Sequence, residues 1–338
     1  MLKLTLLQLT QLKIQSLKVI SLSLLCLSSI GLQNMASAQS DTYPNRPIKM
    51  IVSFTAGGTT DILAREVANQ LTQRLKVPVI VENRPGAAGN LGTEIVGKSA
   101  PDGYTLLVNS SGPISVNPTL FKNLAVNPLT DLDPVALLAE VPNVLIVPSS
   151  SKINTVKELI DFGRANLGKV NYGSTGIGTA SHMTGFMFSQ QSGINATHIP
   201  YKGAEAVRDL IAGRLDYMFA TLPSVAALIK GGQVRAIGIS IKKRYVTLPE
   251  VPTMLESGIN MAAGSWFGVF APHGTSAENV KVLNQQIVEI LMSKKTKDKL
   301  INEGAEPIAM NVTEFTKFVR NEYETWAPIV RSSGAKPE

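Results

Sequence analysis

Twice along this chain an apolar run breaks into glycine and hydroxyl residues and then becomes a helical pattern. The first instance is Ile48 to Leu75, IKMIVSFTAGGTTDILAREVANQLTQRL. Ile48 to Phe54 fits a short buried strand. Ala56, Gly57 and Gly58 then impose a bend, Thr59 or Thr60 caps a helix, and Leu63, Val67, Leu71 and Leu75 recur every four residues along it. The second instance runs from Lys169 through Gly173-Ser174-Thr175-Gly176-Ile177-Gly178-Thr179-Ala180-Ser181-His182 into a helix carrying Met183, Phe186 and Met187 on one face. Each corner leaves the unpaired N–H groups of a helix N-terminus beyond a strand end, where donors and helix dipole both favour an anion. A single glycine-rich βα turn is as readily an ordinary connection without a ligand. Two of the same kind in one chain favour the anion reading.

The length of 338 residues, 44% of them hydrophobic and 17% charged, suits about two globular domains. Lys3, Lys13 and Lys18 precede a charge-free run, Val19 to Leu32, and Ala36-Ser37-Ala38 follows it. This reads as a secretory signal peptide over residues 1–38, with cleavage expected after Ala38. The run is shorter than the roughly 20 apolar residues that a spanning helix needs. The single cysteine, Cys26, lies inside it behind Leu25, where a lipoprotein signal requires a small residue. The mature chain therefore carries no thiol and suits an oxidising compartment. Without the leader, 29 basic residues face 25 acidic ones, so the formal charge of +7 falls to +4. That excess gives no argument for nucleic acid.

The remaining pattern organises the chain into two α/β units. Strands are expected at Val79 to Val81 and Thr105 to Val108, with a glycine turn and helix between them running to about Lys98. β-α-β-α-β alternation argues for a parallel sheet, whose ligands sit beyond the carboxyl ends of the strands. Phe54 to Thr60 would meet Asn109 to Ser111 at that edge. Val144 to Val147, fenced by Pro142 and Pro148, reads as a strand crossing into the second unit. There Thr155 and Glu158 form a capping box, and strands follow near Lys169, Thr197, Leu215 and Val234. Trp266 to Phe270 is a last strand before helical sequence from Ser276 to Ile329. The expected division is residues 39–141 plus 261–338 for lobe 1 and 142–260 for lobe 2, with the two crossings as hinge. Gly92 to Ser99 matches GxxxxGK[ST] letter for letter, but it lies along a helix and at its end rather than between strand and helix, so the match is coincidental.

Eight stretches together carry a resemblance. They are RPIKMIVSFTAGGTTDILAR from Arg46, VIVENRPGAAGNLG from Val79, PDGYTLL from Pro101, YGSTGIGTASH from Tyr172, HIPYKG from His198, GRLDYMF from Gly213, VPTMLESG from Val251 and SWFGVFAP from Ser265. In this order they resemble the tripartite tricarboxylate transporter substrate-binding proteins, the Bug family of secreted solute receptors. The family usually has Pro-Gly-Gly where this chain has Ala56-Gly57-Gly58, which removes one fixed φ before the glycines. The resemblance implies an α/β, type II periplasmic-binding fold with two lobes around a central cleft. It also implies a small anionic ligand, commonly a carboxylate, and membrane permease subunits as partners. Carried over, the ligand contacts are Phe54, Ala56, Gly57, Gly58, Thr59 and Asp61, then Asn109 and Ser110, then Ser174, Gly178, Thr179, Ser181 and His182.

Asp61, in the first helical turn, fits an N-terminus stabiliser that orients the loop. His182 suits either the loop or the core, and His198 and His273 read as structural. Tyr201 ends a strand and either donates to a ligand or packs at the rim. No His, Asp or Glu pair has metal-ligand spacing, and no metal or cofactor is expected. A monomer is expected. A secreted hydrolase is the runner-up, weakened because Tyr172 occupies the first glycine position of GxSxG and none of the three histidines is expected beside Ser174. A ligand-sensing module for a membrane sensor is a third reading.

Overall fold

The run Ile48–Val52 forms strand β1, and the chain turns through Ser53 to Gly58 into helix α1, Thr59–Leu75. The computed structural model describes residues 43–336, so the expected signal peptide and its cleavage point lie outside the described residues. Then come β2 (Val79–Asn83), α2 (Asn90–Gly97) and β3 (Thr105–Ser110). A wide, π-helical turn over Gly112–Val116 leads into the short α3 (Asn117–Leu120). β4 spans Leu132–Pro148, followed by α4 (Val156–Ala165), β5 (Val170–Ser174), α5 (Ala180–Ser192) and β6 (Ala196–Pro200). The chain continues through α6 (Glu205–Ile211), β7 (Tyr217–Thr221), α7 (Leu222–Lys230), β8 (Val234–Ile239) and β9 (Gly264–Pro272). Three helices close it, α8 (Ala277–Met292), α9 (Lys294–Glu303) and α10 (Val312–Ser333).

β1 pairs in parallel with β2 on one side and β3 on the other, and β9 adds antiparallel to β3. In the second half β5 lies parallel to both β6 and β7. Residues Leu132 to Pro142 of β4 pair with β9, whereas Asn143 to Pro148 pair with β7 and β8. One 17-residue strand thus belongs to both sheets. At the point where its partners change, the buried Asn143 amide donates to Thr184 Oγ1 (3.2 Å) and to the Ala263 carbonyl (3.1 Å), and accepts from Ser265 Oγ (2.9 Å). A buried amide with every group engaged fixes the geometry of the crossing.

Each half has its own core. Ile51, Leu107, Leu137, Phe270 and Phe315 pack in the first, and Leu145, Tyr172, Phe188, Tyr217 and Phe219 in the second. A further cluster joins the halves, with Val116 and Leu120 set against Met183, Trp326 and Val330. The period-four face of α1 is buried at Leu63, Val67 and Leu71, as its spacing requires. The fold departs from the sequence reading in three places. β4 begins at Leu132, twelve residues before the expected Val144, because Pro142 reads as a fence, whereas the strand carries it, and Pro134 too, with two register shifts. Helix α7 and the helical stretch Gly112–Leu120 were not anticipated. Thr155 caps α4, but Glu158 returns to the N–H of Asn154 rather than of Thr155. The GxxxxGK[ST] match falls on α2 and its end, where Gly92 packs on Ser53 and Lys98 pairs with Glu94, facing no open backbone cradle.

Candidate functional site

The N-termini of α1 and α5 open into one cavity of about 420 Å3 between the two sheets. From the first sheet come Phe54, Thr55, Ala56, Gly57, Gly58, Thr59, Thr60 and Ser110, and from the second Thr175, Thr179, Ala180 and Ser181. Eight of the fourteen residues carried over from sequence therefore line it: Phe54, Ala56, Gly57, Gly58, Thr59, Ser110, Thr179 and Ser181. The N–H groups of Thr59 and Thr60 in α1, and of Ala180 and Ser181 in α5, are first-turn donors without intrahelical acceptors. Apolar wall comes from Phe54, Val207, Ile211, Met218 and Phe267. Such a site gives an anion hydrogen bonds and two helix dipoles in a dry setting.

The other six lie off the lining, with polar groups engaged by the protein itself. Asp61 accepts from the Gly57 N–H (3.0 Å), from Arg65 Nε (2.9 Å) and from the Asn83 amide (3.0 Å), and Asn83 also holds the Phe54 carbonyl (3.0 Å). Burial pushes the Asp61 carboxyl up, but the bonds from Arg65, Gly57 and Asn83 together outweigh it and hold its pKa below the ordinary value. Its charge is met by Arg65, so it fixes the loop and takes Gly57's donor away from any ligand. Asn109 is fully buried in β3 and bonds Thr93 Oγ1 (2.9 Å) and the Ser110 N–H (2.9 Å). The Gly178 N–H donates to His182 Nδ1 (3.1 Å), and Tyr201 donates to Asp209 (2.7 Å). Ser174 Oγ accepts from the Gly176 N–H (3.1 Å) and lies 2.6 Å from His198 Nε2. That pair corrects the expectation that no histidine adjoins Ser174, because parallel pairing of β5 with β6 brings His198 across from 24 residues away. Ser174 is fully buried and lies off the cavity lining.

Asp61→Ala should lower stability by about 1.5–3 kcal/mol, the usual loss for hydrogen bonds to a charged group. Ligand affinity should fall with it as the loop loosens. Urea unfolding and calorimetric titration of the variant check both, and an unchanged affinity would show that the loop holds its shape without the carboxylate.

Sequence reasoning missed the contribution of the third and fourth segments. Gly203, Ala204 and Arg208 reach the cavity from the start of α6, and Thr221, Ser224 and Leu228 from α7. They cross to the first sheet directly: Thr59 Oγ1 sits 2.7 Å from Thr221 Oγ1, and the Ala204 N–H donates to Thr55 Oγ1 at 3.1 Å. The HIPYKG stretch ends at Gly203 and carried the available signal, but its function depends on a fold-back that no local pattern encodes.

Comparison with known proteins agrees with this geometry. A family model described as "Tripartite tricarboxylate transporter family receptor" matches residues 63–335. The chain belongs to the tripartite tricarboxylate transporter receptor family. Within that family this receptor is similar to protein BugT of Bordetella pertussis, 38% identical over 304 residues that cover 89% of this chain and 93% of BugT. Among solved structures it is similar to R. palustris Rpa4515 with adipate, 32% identical with a TM-score of 0.85, covering 88% of this receptor and all of that chain. MatC from Rhodopseudomonas palustris with bound malate is 29% identical with a TM-score of 0.81, covering 85% of this receptor and all of MatC. The receptor therefore has the two-lobed α/β periplasmic-binding fold that the resemblance implied.

Proposed function

We propose that this receptor captures one small carboxylate between its lobes and hands it to membrane subunits of a tripartite tricarboxylate-type transporter. The observation that carries the reading is the meeting of two helix N-termini, from separate sheets, in one cavity whose lining holds no acidic side chain among the described residues. Closing over the ligand removes water and strengthens those contacts. The adipate and malate held by two relatives support the carboxylate class. The lobes are taken as 39–141 with 261–338 and as 142–260. The change of β4 partners between Pro142 and Asn143 supports that division. The protein works in the periplasm as a monomer after cleavage following Ala38. It binds without turnover, a reading that the burial of Ser174 away from the cavity supports.

Native mass spectrometry of protein purified without dialysis should find one retained small acid. Thermal unfolding across dicarboxylates, tricarboxylates, amino acids and aromatic acids should find a ligand that raises Tm by about 5 °C or more at a hundredfold excess over Kd. No shift with any acid would remove the receptor reading, and turnover of a bound acid would replace it with the hydrolase. Co-purification with a sensor rather than a permease would turn it into a sensing module.

A further inference from the structure

The cavity lining carries a charged group outside the two helix N-termini. Helix α6 starts against the first sheet, where Ala204 donates to Thr55, and Arg208 lies one turn on, about 6 Å along the axis. Helix α7 starts at the Thr59–Thr221 contact, and Leu228 lies seven residues on, about 10 Å along its axis. Both helices lead away from the first-sheet loop, and the cavity follows them to Arg208, Leu228 and Gln233.

Arg208 is the only charged side chain on the cavity lining among the described residues. Its neighbours in the second lobe have partners: Asp209 takes Tyr201 and Arg214, and Arg235 is held by the carbonyls of Ser149, Ser151 and Ile153. Arg208 has no ion pair or side-chain hydrogen bond to another described residue, and the apolar side chains of Val207 and Ile211 flank it on the same wall. Arg208 is exposed overall, and an arginine on a cavity lining without a carboxylate of its own is matched to a planar anion.

We propose that Arg208 is a specificity-determining residue, which receives a second anionic group of the ligand while the first sits on the N-termini of α1 and α5. The preferred solute is then an acid with two anionic ends and an apolar spacer. The assignment rests on the carboxylate-receptor reading and adds to it the residue that selects the far end.

The test is calorimetric titration of the receptor, Arg208→Met and Arg208→Lys with α,ω-diacids from succinate to suberate and with monocarboxylates of equal chain length. The unaltered receptor should favour its best diacid at least tenfold over the matched monocarboxylate. Arg208→Met should weaken that diacid about 30-fold and change the monocarboxylate less than threefold, with partial recovery in Arg208→Lys. Equal losses for both ligands, or none, would overturn the role of Arg208 while leaving a working receptor. Failure of every acid to bind the unaltered protein would instead sink the carboxylate reading, and this assignment with it.

Discussion

Gly112→Val should bind the receptor's acid at least a hundredfold more weakly while each lobe remains folded. Gly112 follows β3, and a Cβ placed on it would stand 2.8 Å from the Gly178 carbonyl oxygen and 2.9 Å from Thr179 Cα. Both are backbone atoms of the corner that caps α5, so no side chain can swing aside. The extra methyl groups therefore push the second-lobe corner off the first lobe, at the seam where Val116 and Leu120 meet Met183. Overpacking of this kind costs about 1–3 kcal/mol at a yielding site and more at an unyielding one. A hundredfold loss corresponds to about 2.7 kcal/mol. Gly112→Ala should fall between the two. Titration calorimetry reads the affinity and small-angle scattering the width of the cleft. Wild-type affinity in the valine variant would mean that binding does not require this contact.

The second large effect is on stability in acid. His182 and His198 stack with ring centroids 3.9 Å apart, and Tyr172 and Tyr217 continue the column. Burial drives the His182 pKa from its ordinary 6.5 down to about 4, and burial with the facing His182 lowers His198 as well. Among the described residues no carboxylate pairs with either ring, and His182 also sits in the first turn of α5, where the dipole opposes a cation. Between pH 6.5 and 4 the unfolded chain takes up a proton that the folded chain refuses. Stability is therefore complete above about 6.5 and drains as the pH falls towards 4, by about 3 kcal/mol from His182 alone. Protonation also turns Nδ1 from acceptor to donor against the Gly178 N–H, one residue from the cavity-lining Thr179. Urea midpoints from pH 7.5 to 4.5 should show the loss, and His182→Asn, whose amide oxygen keeps an acceptor near Nδ1, should flatten it. Equal slopes in both proteins would assign the acid sensitivity to other groups.

Much of the frame was legible because local chemistry and global fold agree. The apolar runs at Ile48, Thr105 and Val234 have one stable use, and the glycine corners have few. What stayed hidden depended on distant partners. Pro142 looks like a stop until Gly264 pairs with it across the ladder. Thr221 sits at the N-cap of α7, but its hydroxyl meets Thr59, 162 residues away, instead of the helix backbone. Asn109, Ser174 and His182 carry the polar groups a ligand could use, but a buried loop must first satisfy its own backbone, and they are occupied with that task. Arg208 was invisible for the opposite reason, since an exposed helical arginine looks like any solvated charge until the fold aims it at a cavity.

Because β4 runs unbroken through both sheets, the halves do not swing on slack linkers. Opening must flex the one strand that both sheets share, held at its change of partners by the Asn143 amide, and such a strand behaves as a leaf spring with one resting angle. Few unloaded shapes then compete with the loaded one, so little free energy is lost to ordering when a solute arrives. A membrane component meeting this protein would face two outlines rather than a continuum, and could tell full from empty by the spacing of the two tips alone.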